Sequence, residues 1–485
     1  MVFSSHIFIF YFLPLALLLY YAVPRRGRHV MLVLLSYLFY GWANPLFVVL
    51  MIFSTLADYV SGLVISGQRP SLSSDDSVAL ERGGTRTGVQ TAALTATIVL
   101  NLLLLAYFKY FNFGIDSYND LVRSLGHDDA VWNTFFRVTL PLGISFYTFH
   151  AMSYAIDVYR GDARAIRNYV DYACYVAMFP QLVAGPIIRF QDVADQLAYR
   201  TCTPEKFARG VAFFCFGMAK KVLLANSCGK VADTVFGTHS VAAADAWMGL
   251  FGYAFQIYFD FSAYSDMAIG LALMLGFVFA KNFDSPYRAE SITDFWRRWH
   301  ISLSTWLRDY LYVPLGGNRQ GTARTYANLA TVMVLGGLWH GASWNFAIWG
   351  AIHGGMLCCE RALGKQSIYH RLPGPAKTAL TFAIVCFAWV FFRAETLPQA
   401  LSYCGSLLGF TPVASQAGLI AGVIYQPYYV AGLIAAALVT WTFPQTWDFT
   451  RRITLPRAAL AMCLFWLSLI VLTTQSFNPF IYFIF

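Results

Sequence analysis

The sequence predicts an all-α polytopic membrane protein with roughly ten to twelve transmembrane helices, together with re-entrant or half-crossing helices and interfacial helices. Hydrophobic residues make up 58% of the 485 residues and charged residues only 12%, and the mean hydropathy is +0.53. A soluble domain is about half apolar and about a quarter charged. Apolar runs recur along the chain, and no polar stretch between them is long enough for a soluble domain. Residues 1–485 are therefore predicted to form one integral membrane domain.

The first apolar run opens the chain and reads MVFSSHIFIFYFLPLALLLYY. It lacks the basic flank and the small-residue cleavage site of a secretory signal, which predicts an uncleaved first helix. Arg25, Arg26 and Arg28 follow this run. Because short basic loops favour the cytoplasmic side of a membrane, the amino terminus is predicted to lie on the opposite side.

Short polar breaks separate the later apolar runs. Ala43-Asn44-Pro45 is a turn signal between two of them, and the loop at about residues 67–90 is polar and predicted to be cytoplasmic. Several runs are shorter than the about 20 residues that span a bilayer, which is typical of buried or half-crossing segments around a cavity. The runs lie at about residues 30–42, 45–65, 91–113, 139–158, 170–188, 207–224, 244–279, 329–340, 344–363, 378–392, 400–424, 428–441 and 458–473.

Charge and cysteine content exclude several functions. The net charge of +9 comes from basic residues beside the apolar runs, which predicts contact with lipid headgroups and not with nucleic acid. The nine cysteines are scattered without metal or redox spacing. The chain also lacks a phosphate-binding loop, an HExxH zinc motif and a GxSxG nucleophile motif. We therefore predict no metal site and no acylated enzyme serine.

The segment from Ser291 to Pro314 is unusually rich in charge and is predicted to be one helix. Ser291 fits a helix-capping position, and Pro314 marks an end. His300 and Ser304 would lie one turn apart on one face of this helix, with Trp296 one turn earlier. A second polar stripe would carry Arg298, Ser302, Thr305 and Asp309. The alternative is an interfacial helix whose arginines and tryptophans anchor it among lipid headgroups.

A second histidine, His340, lies at the far end of an apolar run. Ionisable side chains at membrane depth are costly and indicate function by default. The glycines at 336, 337 and 341 allow close backbone approach, and Ser343 is a candidate cap for the next helix. A neutral imidazole can accept a proton from a hydroxyl at physiological pH. The alternative is a histidine with a structural hydrogen bond only.

Two further segments carry polar groups inside apolar runs. In residues 179–186, Gln181 precedes the helix-breaking pair Gly185-Pro186, which predicts a re-entrant turn beside a cavity. In residues 258–266, the carboxylates of Asp260 and Asp266 are embedded in hydrophobic sequence. The carboxylates could line a cavity or form buried pairs with Arg or Lys.

The motifs FWRRWHISLSTWLRDYLYVPLGGNR and LGGLWHGASWNFAIWGAIHG, in a core at about residues 258–355, resemble the signature of the membrane-bound O-acyltransferase family. FPQLVAGPIIRF, YFDFSAYSDMAIGLALMLGF and the opening MVFSSHIFIFYFLP are similar to its bacterial polysaccharide branch. This resemblance covers nearly the whole chain. It implies a ring of helices around a central tunnel, in which a cytoplasmic acyl donor meets an acceptor from the other side of the membrane.

The resemblance also implies roles for individual residues and partners. His340 matches the catalytic histidine of the family, and His300 matches its second characteristic histidine. The donor is expected to be acetyl-CoA, and the acetyl group is expected to pass to a periplasmic partner protein or a glycan. The expected location is the bacterial inner membrane, with the amino terminus in the periplasm. Further candidates for the donor or acceptor tunnel are Trp296, Arg297, Arg298, Ser304, Arg308, Asp309, Asn318, Arg319, Gln181 and Asp260.

Several functions stay open at this point. The polymer could be alginate or cellulose, and the same family resemblance also allows D-alanyl transfer to teichoic acid or O-acetylation of peptidoglycan. A transporter or polysaccharide export subunit would also contain broken helices and buried carboxylates.

Overall fold

The computed structural model describes residues 1–72, 77–133, 136–364, 367–414, 417–475 and 477–481, and these residues contain helices but no β-strand. The predicted all-α class is confirmed. The helices form two compact units. The first comprises Met1–Thr203 with Leu275–Phe279, and the second comprises Pro204–Met274 with Ala280–Phe485.

Within its described residues, the first unit contains nine α-helices and two π-helical segments, at Phe8–Phe12 and Ala106–Tyr110. The predicted turn at 43–45 is confirmed, since Asn44 accepts a hydrogen bond from the Leu46 amide at 3.0 Å and begins a new helix. The α-helices are α1 (Leu13–Ala22), α2 (Arg28–Gly41), α3 (Pro45–Ser66), α4 (Gly88–Leu105), α5 (Phe111–Ser124), α6 (Ile144–Arg160), α7 (Tyr169–Ala177), α8 (Phe179–Leu182) and α9 (Phe190–Ala198).

The polar loop predicted at about 67–90 joins α3 to α4, and its residues 73–76 lie outside the described chain. The Ser71 amide donates to the Arg167 carbonyl at 2.9 Å, and the Arg86 Nε donates to the Tyr159 carbonyl at 2.7 Å. These bonds tie both ends of the loop to the region around α6. Its cytoplasmic location stays a prediction.

The second unit contains the remaining helices of the described residues. Its longest helix, α12, packs against both α10 and α11. π-Helical segments follow α10 and α14, at Lys220–Ala225 and Arg308–Tyr312. The α-helices are α10 (Pro204–Ala219), α11 (Asn226–Phe236), α12 (Ala243–Met274), α13 (Ile292–Arg298), α14 (Ile301–Leu307), α15 (Thr322–His340), α16 (Trp344–Leu363), α17 (Gly374–Arg393), α18 (Leu397–Leu407), α19 (Ala421–Ile424), α20 (Pro427–Thr442), α21 (Thr446–Phe449) and α22 (Leu455–Thr474).

In the part of the chain that the structure describes, five helical segments are long and apolar enough to cross a membrane, or up to six if the bent pair 418–424 and 427–442 is one span. The five segments are Pro45–Ser66, Gly88–Ser124, Pro204–Phe236, Gly374–Arg393 and Leu455–Thr474. The predicted ten to twelve spans also include shorter and more polar helices such as α6, which has 17 residues. Several membrane-crossing helices are therefore confirmed, and the larger number stays a prediction.

The predicted break within residues 170–188 is confirmed. Helix α7 ends at Ala177, a short helix follows, and residues 183–189 are not helical. A Cβ on Gly185 would lie only 2.5 Å from the Gln181 Cα, so glycine is required where the chain folds back on α8. Its re-entrant position in a membrane stays a prediction.

Candidate functional site

The prediction of one helix from Ser291 to Pro314 is wrong at His300. Helix α13 ends at Arg298, His300 has a φ of +43°, and α14 then begins at Ile301. The preceding loop replaces the lost helical hydrogen bonds. The Asp284 amide donates to the Arg298 carbonyl and the Ile301 amide donates to the Asn282 carbonyl, each at 2.9 Å.

This break changes the surroundings of His300. His300 and Ser304 do not share the face of one continuous helix, and the Ser304 hydroxyl donates to the Trp299 carbonyl at 3.4 Å. The predicted start of the helix is confirmed, since the Ser291 hydroxyl accepts from the Asp294 amide at 3.1 Å. A positive φ is uncommon for any residue other than glycine, so the fold holds His300 in place against local preference.

Asn282 orients the His300 ring. Its Oδ1 lies 3.2 Å from the His300 Nδ1 and accepts from the Ser302 amide and hydroxyl at 3.2 and 2.9 Å. Its Nδ2 donates to the Ser265 hydroxyl at 2.9 Å. Because the Ser302 amide can only donate, Oδ1 is the acceptor and the His300 Nδ1 carries a proton. In the neutral ring, the lone pair is then on Nε2, which has no hydrogen-bond partner among the described residues.

His340 is placed by a close crossing of α15 and α16. A Cβ on Gly350 would overlap the Met333 carbonyl oxygen and lie 2.9 Å from the Val334 Cα, and a Cβ on Gly337 would overlap the Phe346 carbonyl oxygen. The predicted close approach at this glycine segment is confirmed. Ser343 occupies the cap position of α16 but its side chain makes no capping hydrogen bond, so the second half of that prediction is wrong.

Aromatic rings surround the His340 imidazole. Its ring centroid lies 5.0 Å from that of Trp339, 5.4 Å from that of Trp349 and 5.3 Å from that of Phe392. All three aromatic side chains are buried. The histidine therefore lies in a mainly apolar pocket, where a polar reactant would meet little competition from bulk water.

The structure brings the two predicted histidines together. The ring centroids of His300 and His340 are 6.3 Å apart, although 39 positions separate the residues along the chain. His300 is completely buried, whereas 6% of His340 is exposed. The Nε2 atoms of both rings are enclosed by the protein, so the pair lies in its interior.

A third histidine, His353, was missed by the sequence analysis. It is completely buried on α16, its Nδ1 accepts from the Trp296 Nε1 at 3.3 Å, and its ring lies 4.9 Å from that of Trp349. On the same helix, Glu360 accepts from the amides of Ile292 and Thr293 at 2.6 and 2.9 Å. The spacing of Trp349, His353 and Glu360 along one face of an apolar helix was the available signal.

The remaining charged and polar candidates are mostly exposed or paired locally. The Arg298 Nε lies 2.9 Å from Asp294, and the Arg308 Nε lies 2.7 Å from Asp309. Exposed candidates on the second unit are Arg297, Arg308, Asn318 and Arg319. Contact of these arginines with donor phosphates stays a prediction.

Gln181 and Asp260 are buried in different units. The Gln181 side chain lies in α8 and donates to the Tyr175 carbonyl. Asp260 lies 2.7 Å from the Lys221 Nζ and accepts from the Ile481 amide at 3.0 Å. Lys220 forms a similar pair with Asp266 at 2.7 Å. Asp260 therefore forms a buried ion pair and Asp266 a partly buried one, so pairing with lysine is the sequence-based alternative that the structure supports.

Comparisons with known proteins identify the family to which the chain belongs. Residues 87–394 match the model of the membrane-bound O-acyltransferase family. The chain is 44% identical over 505 residues to the probable alginate O-acetylase AlgI of Pseudomonas putida, covering 100% of both chains. It is 48% identical over 410 residues to the protein of that name in Pseudomonas aeruginosa, covering 84% of this chain and 75% of the relative.

A more distant relative is the peptidoglycan O-acetyltransferase of Helicobacter pylori, 33% identical over 452 residues, which cover 85% of this chain and 81% of that protein. The family match covers more than half of the chain and includes both histidines. The full-length similarity and the apolar helices identify a multi-pass membrane protein. The chain therefore belongs to the membrane-bound O-acyltransferase family and is an O-acyltransferase.

Proposed function

We propose that this protein is an O-acetyltransferase that supplies acetyl groups to a secreted exopolysaccharide, with alginate as the favoured polymer. The support is the similarity over the whole chain to relatives named as probable alginate O-acetylases. Cellulose is the alternative polymer. The observation that carries the proposed chemistry is the pair of buried histidines, whose ring centroids lie 6.3 Å apart.

His340 acts as the general base in this proposal. It accepts the proton of an acceptor hydroxyl while that oxygen attacks the thioester carbonyl of the donor. The C–S bond of the resulting tetrahedral intermediate then breaks, and the departing thiolate takes the proton back from the imidazolium. The acetyl group is thereby transferred with no net gain or loss of protons.

His300 positions the reactants. Since Asn282 holds a proton on Nδ1, the neutral ring presents a hydrogen-bond acceptor at Nε2. This atom can accept a hydrogen bond from a second donor group of the acceptor, such as a neighbouring hydroxyl, and so hold the reacting hydroxyl beside His340. In the neutral state Nε2 cannot donate to the developing oxyanion, which favours an orienting role for His300 over charge stabilisation.

The donor in this proposal is acetyl-CoA, which approaches from the cytoplasm. Arg297 and Arg319 are exposed and suit contact with its phosphates, because guanidinium groups pair well with phosphate. The acetyl group leaves to a periplasmic acceptor protein or directly to the polymer. The protein lies in the bacterial inner membrane with its amino terminus in the periplasm.

The test replaces the base. Three strains that lack the native chain each express one protein: the unaltered chain, the His340→Ala variant or a His127→Gln control. The control changes an exposed histidine in a loop. We expect normal polymer yield, loss of polymer acetyl groups for His340→Ala only, and equal protein levels in membranes. Ester content is measured on the purified polymer.

Other outcomes would exclude parts of the proposal. Acetylated polymer in the His340→Ala cells would exclude this histidine as the base. Loss of the polymer itself on deletion of the chain would favour an export subunit. A change in peptidoglycan O-acetylation or in teichoic acid D-alanylation, with the exopolysaccharide unchanged, would assign the chain to another branch of its family.

A further inference from the structure

The first unit contains a buried carboxylate that has no role in the proposed chemistry. Asp58 lies in the membrane-crossing helix α3 and is completely buried. Its Oδ1 accepts from the Asn101 Nδ2 at 2.8 Å, and that same nitrogen donates to the Thr97 carbonyl at 3.0 Å. Its Oδ2 has no hydrogen-bond partner among the described residues.

Four more buried oxygen atoms belong to this cluster. They are the Thr55 and Thr97 hydroxyls, the Asn101 Oδ1 and the Tyr147 hydroxyl, and no described residue forms a hydrogen bond with any of them. Their residues are at most 1% exposed. Helix α6, which carries Tyr147, packs against both α3 and α4, and Tyr147 interacts electrostatically with Asp58.

The two threonine hydroxyls differ from three buried hydroxyls on other apolar helices. Thr148, Thr440 and Ser468 each donate to the backbone carbonyl four residues earlier, at 2.8, 2.8 and 2.7 Å. This is the usual way for a hydroxyl to satisfy its proton within an apolar helix. Thr55 lies one turn before Asp58, and Thr97 lies one turn before Asn101, yet neither makes such a bond.

The energetic cost of such a cluster indicates what it binds. A buried polar atom without a partner destabilises the fold, and an uncompensated buried charge destabilises it more. A proton on Asp58 would neutralise the charge and give one oxygen a partner. A cation held between α3, α4 and α6 would give these oxygen atoms a shared partner, and oxygen ligands suit hard cations. With a single carboxylate available, the charge is balanced by a monovalent ion.

We propose that these five oxygen atoms on α3, α4 and α6 form a binding site for Na⁺. The site is independent of the proposed acetyl transfer, because it rests only on residues of the first unit. It links three helices through one ion, so Na⁺ binding stabilises the first unit.

The test measures thermal unfolding of the purified full-length protein in detergent. Na⁺ is titrated against choline at constant ionic strength, with K⁺ in a parallel series. We expect a saturable rise in the melting temperature with Na⁺ and none with choline. Asp58→Asn is expected to abolish the rise, and Thr97→Val is expected to weaken Na⁺ binding about tenfold, the effect of losing about 1.4 kcal/mol.

Thr148→Val is the matched control, since it removes a buried hydroxyl that already bonds to the Ile144 carbonyl. It should keep the full Na⁺ response. The proposal is overturned if choline stabilises the protein as well as Na⁺, or if Asp58→Asn retains the saturable response. If Asp58→Asn does not fold, binding of radioactive ²²Na⁺ to the unaltered protein decides, and the absence of saturable binding refutes the site.

Discussion

Replacing Gly350 by Ala tests whether the close crossing of α15 and α16 positions His340. The added Cβ would lie 2.9 Å from the Val334 Cα, whereas ordinary contacts of this kind begin at 3.4 Å. The helices must therefore separate by about 0.5 Å at this point, and by more at the overlapping Met333 carbonyl. Met333 lies two turns before His340 on α15, so the displacement reaches the imidazole.

The expected effect follows from these distances. Overpacking of this size costs about 1–3 kcal/mol of stability. A misplacement of about 1 Å at a reacting group can lower the rate about 10²-fold, so we expect a loss of about tenfold to 10²-fold. The assay is acetyl transfer in isolated membranes, normalised to the amount of protein, with the melting temperature measured on the purified variant.

Gly355→Ala is the matched control on the same helix. A Cβ on Gly355 meets nothing within 4 Å, so this change should leave activity unaltered and alter stability by less than about 1 kcal/mol. Normal activity of Gly350→Ala would refute the positioning argument. Equal losses of activity in Gly350→Ala and Gly355→Ala would show that α16 is sensitive to any added side chain. That result would also refute the positioning argument.

Two other contacts give measurable expectations. Removing one partner of the buried Lys221–Asp260 pair should destabilise the protein by about 3–5 kcal/mol. The double variant Lys221→Met with Asp260→Asn should lose less stability than the sum of the two single changes. Melting temperatures in detergent test this, and additive shifts would contradict it. Asn282→Ala should lower acetyl transfer about 10- to 100-fold at equal protein level, because His300 loses its orienting partner. Unchanged activity of Asn282→Ala would show that this contact does not serve the reaction.

Hydropathy was sufficient to predict several of the helices but not where the segment at His300 breaks. The segments around α3, α4 and α22 form as their apolar runs indicate, because helix formation there depends on local sequence. The break at His300 depends on backbone pairing with residues 282–284, 16 or more positions earlier in the sequence. Local periodicity contains no information about such a contact, so a continuous helix was the natural prediction.

In the candidate site as well, the reactive residues could be predicted from the sequence but their spatial arrangement could not. His300 and His340 were identified from the chemistry of their side chains and from family motifs, but their separation of 6.3 Å arises from the helix crossing and the Asn282 contacts. His353 was not identified from the sequence, since its contact with Trp296 arises only in the folded chain. Pairing of Asp260 with an Arg or Lys was one of the alternatives predicted from the sequence. Its partner, Lys221, could be identified only in the folded chain.

The aromatic surroundings of His340 affect the fraction of acyl donor that is lost to hydrolysis. Water is the most abundant competing nucleophile, and a base that activates a sugar hydroxyl can also activate water. Rings of Trp339, Trp349 and Phe392 within 5.4 Å of the imidazole leave little room for a hydration shell. Under the proposed chemistry, the pocket therefore disfavours wasteful hydrolysis of the thioester while no acceptor is present.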